Sequence, residues 1–209
     1  MTTLLQINTS IYSEGGASSQ LATQFVRAFQ RNRPDAQIVR RDLAVDPVPH
    51  LSGDRFAAFL SKPEERTHAQ RDVVAYSDTL IDELRRADVI VLGLPMYNFG
   101  IPSQLKAYFD HIARAGVTFK YTAQGPVGLL TGKKVYVFAT RGGLYAGSPL
   151  DTQSGYVRDF LRFIGIEQVE FVYAEGLSIG AAGRSASLAK AGERIENLTL
   201  DHINELAAA

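Results

Sequence analysis

Val89-Ile90-Val91-Leu92, followed by LPMYNFGIPSQLK at residues 94–106, is the stretch of sequence that decides the fold. The first four residues are apolar without alternation, which is typical of a strand buried on both faces of a parallel sheet. Pro95 ends such a strand because it lacks an N–H, and Pro102 suits the first turn of a helix. Behind Pro102 an apolar stripe recurs at helical spacing: Leu105, Tyr108, Phe109 and Ile112. The stretch therefore predicts a buried strand, a loop and a helix.

The loop between the two prolines has an unusual composition for a solvated turn. It contains Met96, Tyr97, Asn98 and Phe99, followed by Gly100. Large apolar and aromatic side chains, one amide and a glycine suit a backbone wrapped around the edge of a flat polar ring. From these residues alone, the alternative is an ordinary strand-to-helix loop whose aromatic side chains cap the core.

The composition excludes several function classes. Lys+Arg and Asp+Glu each number 22, so the net charge is zero, and we expect neither a nucleic-acid partner nor a membrane surface. The chain has no cysteine, which excludes disulfides, thiolate metal sites and a cysteine nucleophile. The four histidines show no metal-ligand spacing, and helix-surface positions are expected for His111 and His202. No metal is expected, and any redox chemistry must come from a bound cofactor.

The length of 209 residues, without a recognisable linker, indicates a single domain over residues 1–209. The N-terminal residues lack the basic region and apolar core of a signal peptide. No segment approaches the roughly 20 apolar residues of a membrane-spanning helix. We therefore expect a cytoplasmic protein that does not interact with membranes.

Strand and helix patterns alternate along the chain. Strands are predicted at residues 4–8, 37–43, 89–92, 135–139 and 169–173, and helices at 20–30, 54–60, 64–86, after Pro102, at 156–164 and at 186–206. Two short extended segments, at residues 117–121 and 125–130, interrupt this alternation, and we call them the excursion. Alternation of this kind predicts an α/β fold, a five-stranded parallel sheet with right-handed crossovers and helices on both faces. We predict the strand order 2-1-3-4-5, which is that of the flavodoxin-like, doubly wound arrangement.

The loop after the first strand, TSIYSEGGASS at residues 9–19, is rich in small and hydroxyl residues. Such a loop at a helix N-terminus can present N–H groups and hydroxyls to a phosphate. It contains neither the dinucleotide fingerprint nor a P-loop. The alternative is a flexible turn with Ser18 or Ser19 as the helix cap.

The loop after the fourth strand begins Thr140-Arg141-Gly142-Gly143 and continues to Tyr145. The two glycines allow close approach of a ligand, or simply a tight turn. In a sheet of this order the ligand lies at the carboxyl ends of the strands, between the first and third strands. The three unusual loops would then converge. A phosphate loop and a lining for a flat heterocycle describe a mononucleotide, and FMN fits better than NAD or ATP.

The sequence also resembles the FMN-dependent NADH azoreductase and quinone reductase family of the flavodoxin-like superfamily, over essentially the whole chain. The resemblance is carried by PMYNF at residues 95–99, IPSQLKAYFD at 101–110, ARAGVTF at 113–119, GKK at 132–134 and RGG at 141–143. It implies that the FMN phosphate is bound by Ser10, Gly16, Ala17 and Ser18. It implies that the isoalloxazine ring is held by Met96, Tyr97, Asn98, Phe99, Thr140, Arg141, Gly142 and Gly143.

The same resemblance implies a homodimer with two flavin sites at the interface. Tyr121 and Phe163 of a second copy would cover the substrate, beside Phe99 and Tyr145. Family members often have Ser-Gln in place of Gly16-Ala17, Ser in place of Thr140, His in place of Tyr145 and Asn in place of Gly100. The positions of Tyr145 and Gly100 border the substrate space.

The predicted function is therefore an NADH- or NADPH-dependent oxidoreductase that reduces quinones and azo compounds in a ping-pong reaction. No side chain in the three loops is placed as a general acid or base, so flavin N5 is expected to carry the chemistry. An electron-transfer flavodoxin is the second hypothesis. The neutral charge and the aromatic excursion at 117–130 disfavour it, because flavodoxins are usually acidic. A non-redox mononucleotide-binding regulator is the third.

Overall fold

The computed structural model describes the backbone of residues 1–207 and the side chains of residues 1–200. Its strands are β1 (Thr3–Asn8), β2 (Gln37–Asp42), β3 (Val89–Pro95), β4 (Phe119–Thr122), β5 (Gly125–Gly128), β6 (Lys134–Thr140) and β7 (Gln168–Ala174). Five of them form a parallel sheet in the order β2-β1-β3-β6-β7, and β4 pairs with β5 in an antiparallel hairpin. Because β6 and β7 are the fourth and fifth strands of the sheet, the predicted order is confirmed.

The helices are α1 (Ala17–Asn32), α2 (Gly53–Leu60), α3 (His68–Arg86), α4 (Ser103–Ile112), α5 (Ser154–Phe163) and α6 (Ala181–Ala207). Single 3-10 turns occupy Ser13–Gly15 and Pro63–Glu65. Within the described part of the chain, no helix combines the length and the apolar character needed to cross a membrane.

Buried side chains form two core clusters that use alternate residues of the same strands. Ile90 and Leu92 of β3 belong to one cluster, together with side chains from α3, α4 and α5. Val89 and Val91 belong to the other, together with side chains from α1 and α6. This division explains why β3 reads as an unbroken apolar run, because all seven of its residues are buried.

The start of α3 differs from the prediction of a helix from residue 64. The Thr67 hydroxyl accepts a hydrogen bond from Gln70 N at 3.3 Å, and the Gln70 side chain accepts one from Thr67 N at 2.9 Å. This reciprocal capping box begins the helix at His68 and leaves Pro63–Glu65 as a separate turn.

The helix-surface position predicted for His111 is wrong, because its side chain is completely buried. Its Nδ1 lies 2.9 Å from the carbonyl oxygen of Ala107, and the ring packs edge-on to Phe59 of α2 at 5.8 Å. Burial lowers the pKa of His111 below its ordinary value. The side chain of His202 lies outside the described residues.

The predicted excursion is the β4–β5 hairpin, which is attached to the end of α5. Leu130 N donates to the carbonyl oxygen of Ile164 at 2.9 Å. A Cβ on Gly128 would lie only 2.0 Å from the backbone nitrogen of Gly165. Gly128 therefore allows a backbone contact that no other residue could make.

Gly128→Ala should destabilise the protein by about 1–3 kcal/mol, because backbone atoms of the hairpin and of Gly165 would have to separate. Urea unfolding measures the loss. Gly155→Ala in α5 is the matched control, since a Cβ there meets nothing within 4 Å. It should be neutral or stabilising by up to about 1 kcal/mol. Equal unfolding midpoints for the two variants would contradict the close approach.

Candidate functional site

The loops after β1, β3 and β6 meet at the carboxyl edge of the sheet. The hydroxyl of Tyr97 lies 3.2 Å from the hydroxyl of Ser10 and accepts a hydrogen bond from Ile11 N at 3.2 Å. Met96 N donates to the carbonyl oxygen of Thr140 at 2.9 Å. The predicted convergence of three unusual loops is thus present in the structure.

The first loop delivers unpaired hydroxyls to the beginning of α1. Gly16 is the N-cap of α1, with no side-chain cap, so the alternative of Ser18 or Ser19 as the cap is wrong. Both serines are fully buried in the first turn, and neither hydroxyl has a hydrogen-bond partner among the described residues. Buried polar groups are normally paired. Unpaired hydroxyls beside the N–H groups of a helix N-terminus suit a bound anion.

Gly16 leaves room for the side chain of Ser10. A Cβ on Gly16 would lie 2.1 Å from Ser10 Oγ, which also accepts a hydrogen bond from Tyr12 N at 3.2 Å. In the same region, a Cβ on Gly93 would lie 3.1 Å from the carbonyl oxygen of Ser18. Two glycines therefore bring β1, β3 and the start of α1 close together around the first loop.

The second loop is a tight turn with unfavourable backbone angles. Tyr97 and Gly100 exchange two backbone hydrogen bonds, of 3.1 and 2.9 Å. Asn98 and Phe99 between them have φ values of 49° and 61°, in the left-handed region that favours glycine. Such residues cost about 1–3 kcal/mol each and concentrate at functional sites. The turn presents the amide of Asn98 and the ring of Phe99, which is 51% exposed.

Two residues before α5 hold this turn in place. The fully buried Gln153 donates from Nε2 to the carbonyl oxygens of Pro95 and Gly100, at 2.9 and 2.8 Å. The Thr152 hydroxyl donates to the carbonyl oxygen of Phe99. Sequence reasoning missed both residues, because no spacing or motif connects them with a loop more than 50 residues earlier.

The third loop carries Arg141, whose side chain is fully buried and directed into a cluster of polar groups. Its Nη2 donates to Asp151 Oδ1 at 2.6 Å and to Ser154 Oγ at 2.9 Å, and its Nη1 donates to Glu175 Oε1 at 3.2 Å. The guanidinium also lies 5.0 Å from the ring centre of Tyr173. These contacts anchor the loop rather than line an open surface. Sequence reasoning missed Asp151 and Glu175.

Asp151 remains ionised in this cluster. Burial alone would raise the pKa of Asp151, but hydrogen bonds from Arg141 and Ser154 outweigh burial and place the pKa below its ordinary value. Its contribution to stability is present above the unfolded-state pKa of about 3.9 and is lost as the pH falls through the lowered pKa.

Two aromatic rings stand beside the paired glycines of the third loop. A Cβ on Gly143 would lie 2.6 Å from the ring of Tyr145, so this ring lies directly over Gly143. The Tyr145 ring meets Phe99 edge-on, with 5.6 Å between ring centres and 63° between planes. A Cβ on Gly142 would lie 2.9 Å from Ser178 Oγ. Phe99 and Tyr145 thus form an aromatic wall beside glycine backbone.

The structure does not bring Tyr121 and Phe163 to this wall within one chain. In the described part of the chain their ring contacts are with Phe119, at 5.4 and 4.3 Å. Phe163 is partly buried there, whereas Tyr121 is 74% exposed. Phe160 stacks on Phe109 at 3.9 Å. Most of the aromatic side chains of the excursion and α5 therefore pack within the chain, and Tyr121 projects outward.

Sequence comparison identifies close relatives over nearly the whole chain. A family model described as the flavodoxin-like fold matches residues 2–198. An FMN-dependent NADH:quinone oxidoreductase of Cellvibrio japonicus is 55% identical over 190 residues, covering 91% of this chain and 96% of the relative. FMN-dependent NADH:quinone oxidoreductase 6 of Burkholderia lata is 53% identical over 195 residues, covering 93% and 98%.

Solved structures show the same relationship. An azoreductase from Bacillus anthracis strain Sterne superposes with a TM-score of 0.87 at 28% identity, covering 95% of this chain and 99% of that one. An FMN-dependent NADH-azoreductase from B. anthracis strain Ames Ancestor, solved in complex with FMN, has a TM-score of 0.85 at 26% identity, covering 95% and 100%. The chain therefore belongs to the flavodoxin-like fold family and, within it, to the FMN-dependent NADH:quinone oxidoreductases.

Proposed function

We propose that this protein is an FMN-dependent enzyme that transfers two electrons from NADH to quinones and azo compounds. The observation that carries the proposal is the junction of three loops, which contribute unpaired buried hydroxyls, glycine backbone and an aromatic wall. The names of the relatives and the FMN complex of a structural neighbour support the same function. These names specify NADH, so we propose NADH rather than NADPH as the donor.

The residues present fit a mononucleotide with one phosphate. We infer that Ser10, Gly16, Ala17 and Ser18 would bind the phosphate, since unpaired hydroxyls and the first N–H groups of α1 are found there. Met96, Tyr97, Asn98, Phe99, Thr140, Gly142 and Gly143 would border the ring. Arg141 would contribute by anchoring the third loop, because its side chain is held by two carboxylates.

FMN, when bound, would supply the hydride chemistry, accepting two electrons from NADH and passing them to the acceptor. The protein would orient flat substrates against the wall formed by Phe99 and Tyr145. The amide of Asn98 and the N–H groups of Gly142 and Gly143 would stabilise negative charge that develops on the cofactor. No general acid or base is required of the protein, because solvent can supply the protons.

The stoichiometry predicts an order of acceptors. A quinone needs two electrons: NADH, H⁺ and quinone yield NAD⁺ and hydroquinone. Cleavage of an azo bond to two amines needs four electrons, hence two NADH and two catalytic cycles. Quinones should therefore turn over faster than azo dyes.

We further propose that residues 1–209 form one domain whose helices cover both faces of the sheet. Adjacent residues of β3 belong to different core clusters, with α3, α4 and α5 in one and α1 and α6 in the other, which supports this arrangement. A homodimer is proposed as the active form. The exposed Tyr121, together with Phe163, would complete the site of a second copy; both rings pack against Phe119.

Gly16→Ala should weaken FMN binding at least about tenfold, equivalent to about 1.4 kcal/mol, because the new Cβ would displace the hydroxyl of Ser10. Fluorescence titration of the apoprotein with FMN measures the dissociation constant. Gly15→Ala is the matched control, because a Cβ there meets nothing within 4 Å and should leave binding unchanged.

In parallel with this titration, the cofactor bound to the purified protein should be released by heating and identified by chromatography. Recovery of FAD, or no flavin binding after reconstitution with excess FMN, would reject the assignment of the phosphate loop.

Steady-state kinetics should be ping-pong, because a single slot beside Phe99 and Tyr145 cannot hold the nicotinamide and the acceptor together. Double-reciprocal plots for NADH at several fixed quinone concentrations should give parallel lines. Phe99→Ala should change the ratio of quinone to azo turnover more than it changes FMN affinity. Intersecting lines would mean a ternary complex and a wider site.

Sedimentation velocity should show a dimer, and specific activity should fall on dilution below the dimer dissociation constant. Tyr121→Ala should raise the KM for the acceptor, since the exposed ring is proposed to reach the second site. Phe56→Ala, at an exposed aromatic residue of α2 outside the three loops, is the control. A fully active monomer at nanomolar concentration would refute the shared site.

A further inference from the structure

Glu175, the residue that follows β7, holds the backbone that carries the aromatic wall. We propose that Glu175 is a positioning residue, which sets the place of the Tyr145 ring beside Phe99 and thereby the choice between acceptors. The proposal rests on the proposed function, in which this wall lines the substrate slot. Neither the sequence pattern nor the family resemblance assigns a role to Glu175.

One carboxylate oxygen of Glu175 gathers three donors. Oε1 accepts hydrogen bonds from Tyr145 N and Ala146 N, both at 2.8 Å, and from Arg141 Nη1 at 3.2 Å. The Glu175 side chain is only 16% exposed, so these charge-assisted bonds are partly shielded from water. The carboxylate thus links the backbone of Tyr145 directly to a buried guanidinium.

The rest of the third loop is held in a different way. The carbonyl oxygens of Arg141, Gly142 and Gly143 accept hydrogen bonds from the backbone of residues 176–178, at 2.9–3.1 Å. Beyond Gly143, the bonds from Ser148 to the carbonyl oxygen of Tyr145 stay within the loop itself. Glu175 therefore attaches the part of the loop that carries Tyr145 to the body of the protein.

Arg141 fixes the position of the Glu175 carboxylate. Its guanidinium is fully buried and is itself fixed by Asp151 at 2.6 Å and by Ser154 at 2.9 Å. The chain of contacts from Asp151 through Arg141 to Glu175 ends on the two amides of the third loop. Because Arg141 fixes the Glu175 carboxylate, that carboxylate holds the Tyr145 ring in a narrower range of positions than an unattached loop would.

Loss of Glu175 should allow the Tyr145 ring to move away from Phe99 and widen the slot. A small flat quinone would then be held less firmly, whereas a bulky azo dye would be affected less. The expected result for Glu175→Ala is at least a fivefold fall in the ratio of kcat/KM for quinone to kcat/KM for azo dye. FMN affinity should change less than threefold, because Gly142 and Gly143 keep their backbone bonds.

The first measurement does not depend on activity. Amide hydrogen exchange of the apoprotein, followed by NMR, should accelerate at least tenfold at Tyr145 and Ala146 in Glu175→Ala. The amides of residues 176–178 should be unaffected. Glu170→Ala, which removes an exposed carboxylate of β7 that pairs with Arg194, is the matched control. Unchanged exchange at Tyr145 and Ala146 would overturn the proposal.

The second measurement is a double-mutant cycle on the acceptor ratio, in the FMN-loaded enzyme. If Glu175 acts through Tyr145, adding Glu175→Ala to Tyr145→Ala should change the ratio less than twofold. Equal effects of Glu175→Ala in both backgrounds would overturn the positioning role.

Glu175→Gln keeps an acceptor oxygen and should give the same changes to a smaller degree. It therefore allows the cycle to be completed if Glu175→Ala folds poorly. A wild-type protein inactive with every donor and acceptor would instead refute the proposed function.

Discussion

The buried guanidinium of Arg141 is the constraint on which the arrangement of the site depends. A charge removed from water costs several kcal/mol unless it is paired and hydrogen-bonded. Asp151 and Glu175 supply the two carboxylates, and the ring of Tyr173 covers one face of the guanidinium. These residues come from the segment before α5 and from the end of β7. Satisfying one cation therefore forces three segments together at the carboxyl edge of the sheet.

The sheet could be predicted because its strands are buried, and buried strands leave unbroken apolar runs such as residues 89–92. Helix boundaries were harder to predict from the sequence. The first turns of α6 are exposed and consist of small residues and Arg184, without apolar periodicity, so the predicted start at residue 186 missed the five residues from Ala181. His111 was misplaced for a different reason, since rings from distant segments, Phe59 of α2 and Tyr76 of α3, pack edge-on against it.

The three site loops were predictable because each follows a strand and has an unusual composition. Their supports were not, because Gln153, Asp151 and Glu175 reach the loops from distant parts of the chain. Glu175 did leave one signal, as a carboxylate immediately after a strand at the edge where ligands bind. Gln153 left none, since a glutamine before an amphipathic helix is ordinary. Arg141 is predicted to border the isoalloxazine ring, and in the structure its side chain is buried against Asp151, Ser154 and Glu175.

This chain departs from the pattern that the resemblance implies at several positions. These positions differ in what an added side chain would contact. A Cβ at Gly100 would make only an ordinary contact of 3.6 Å, so an asparagine there changes the surface of the turn without moving its backbone. A Cβ at Gly16 would collide with Ser10, so a serine there requires a different conformation of the first loop. Tyr145 is held through its backbone by Glu175, which leaves its side chain open to exchange. Under the proposed function, substrate range can therefore diverge at residues 100 and 145 while the first loop stays constrained.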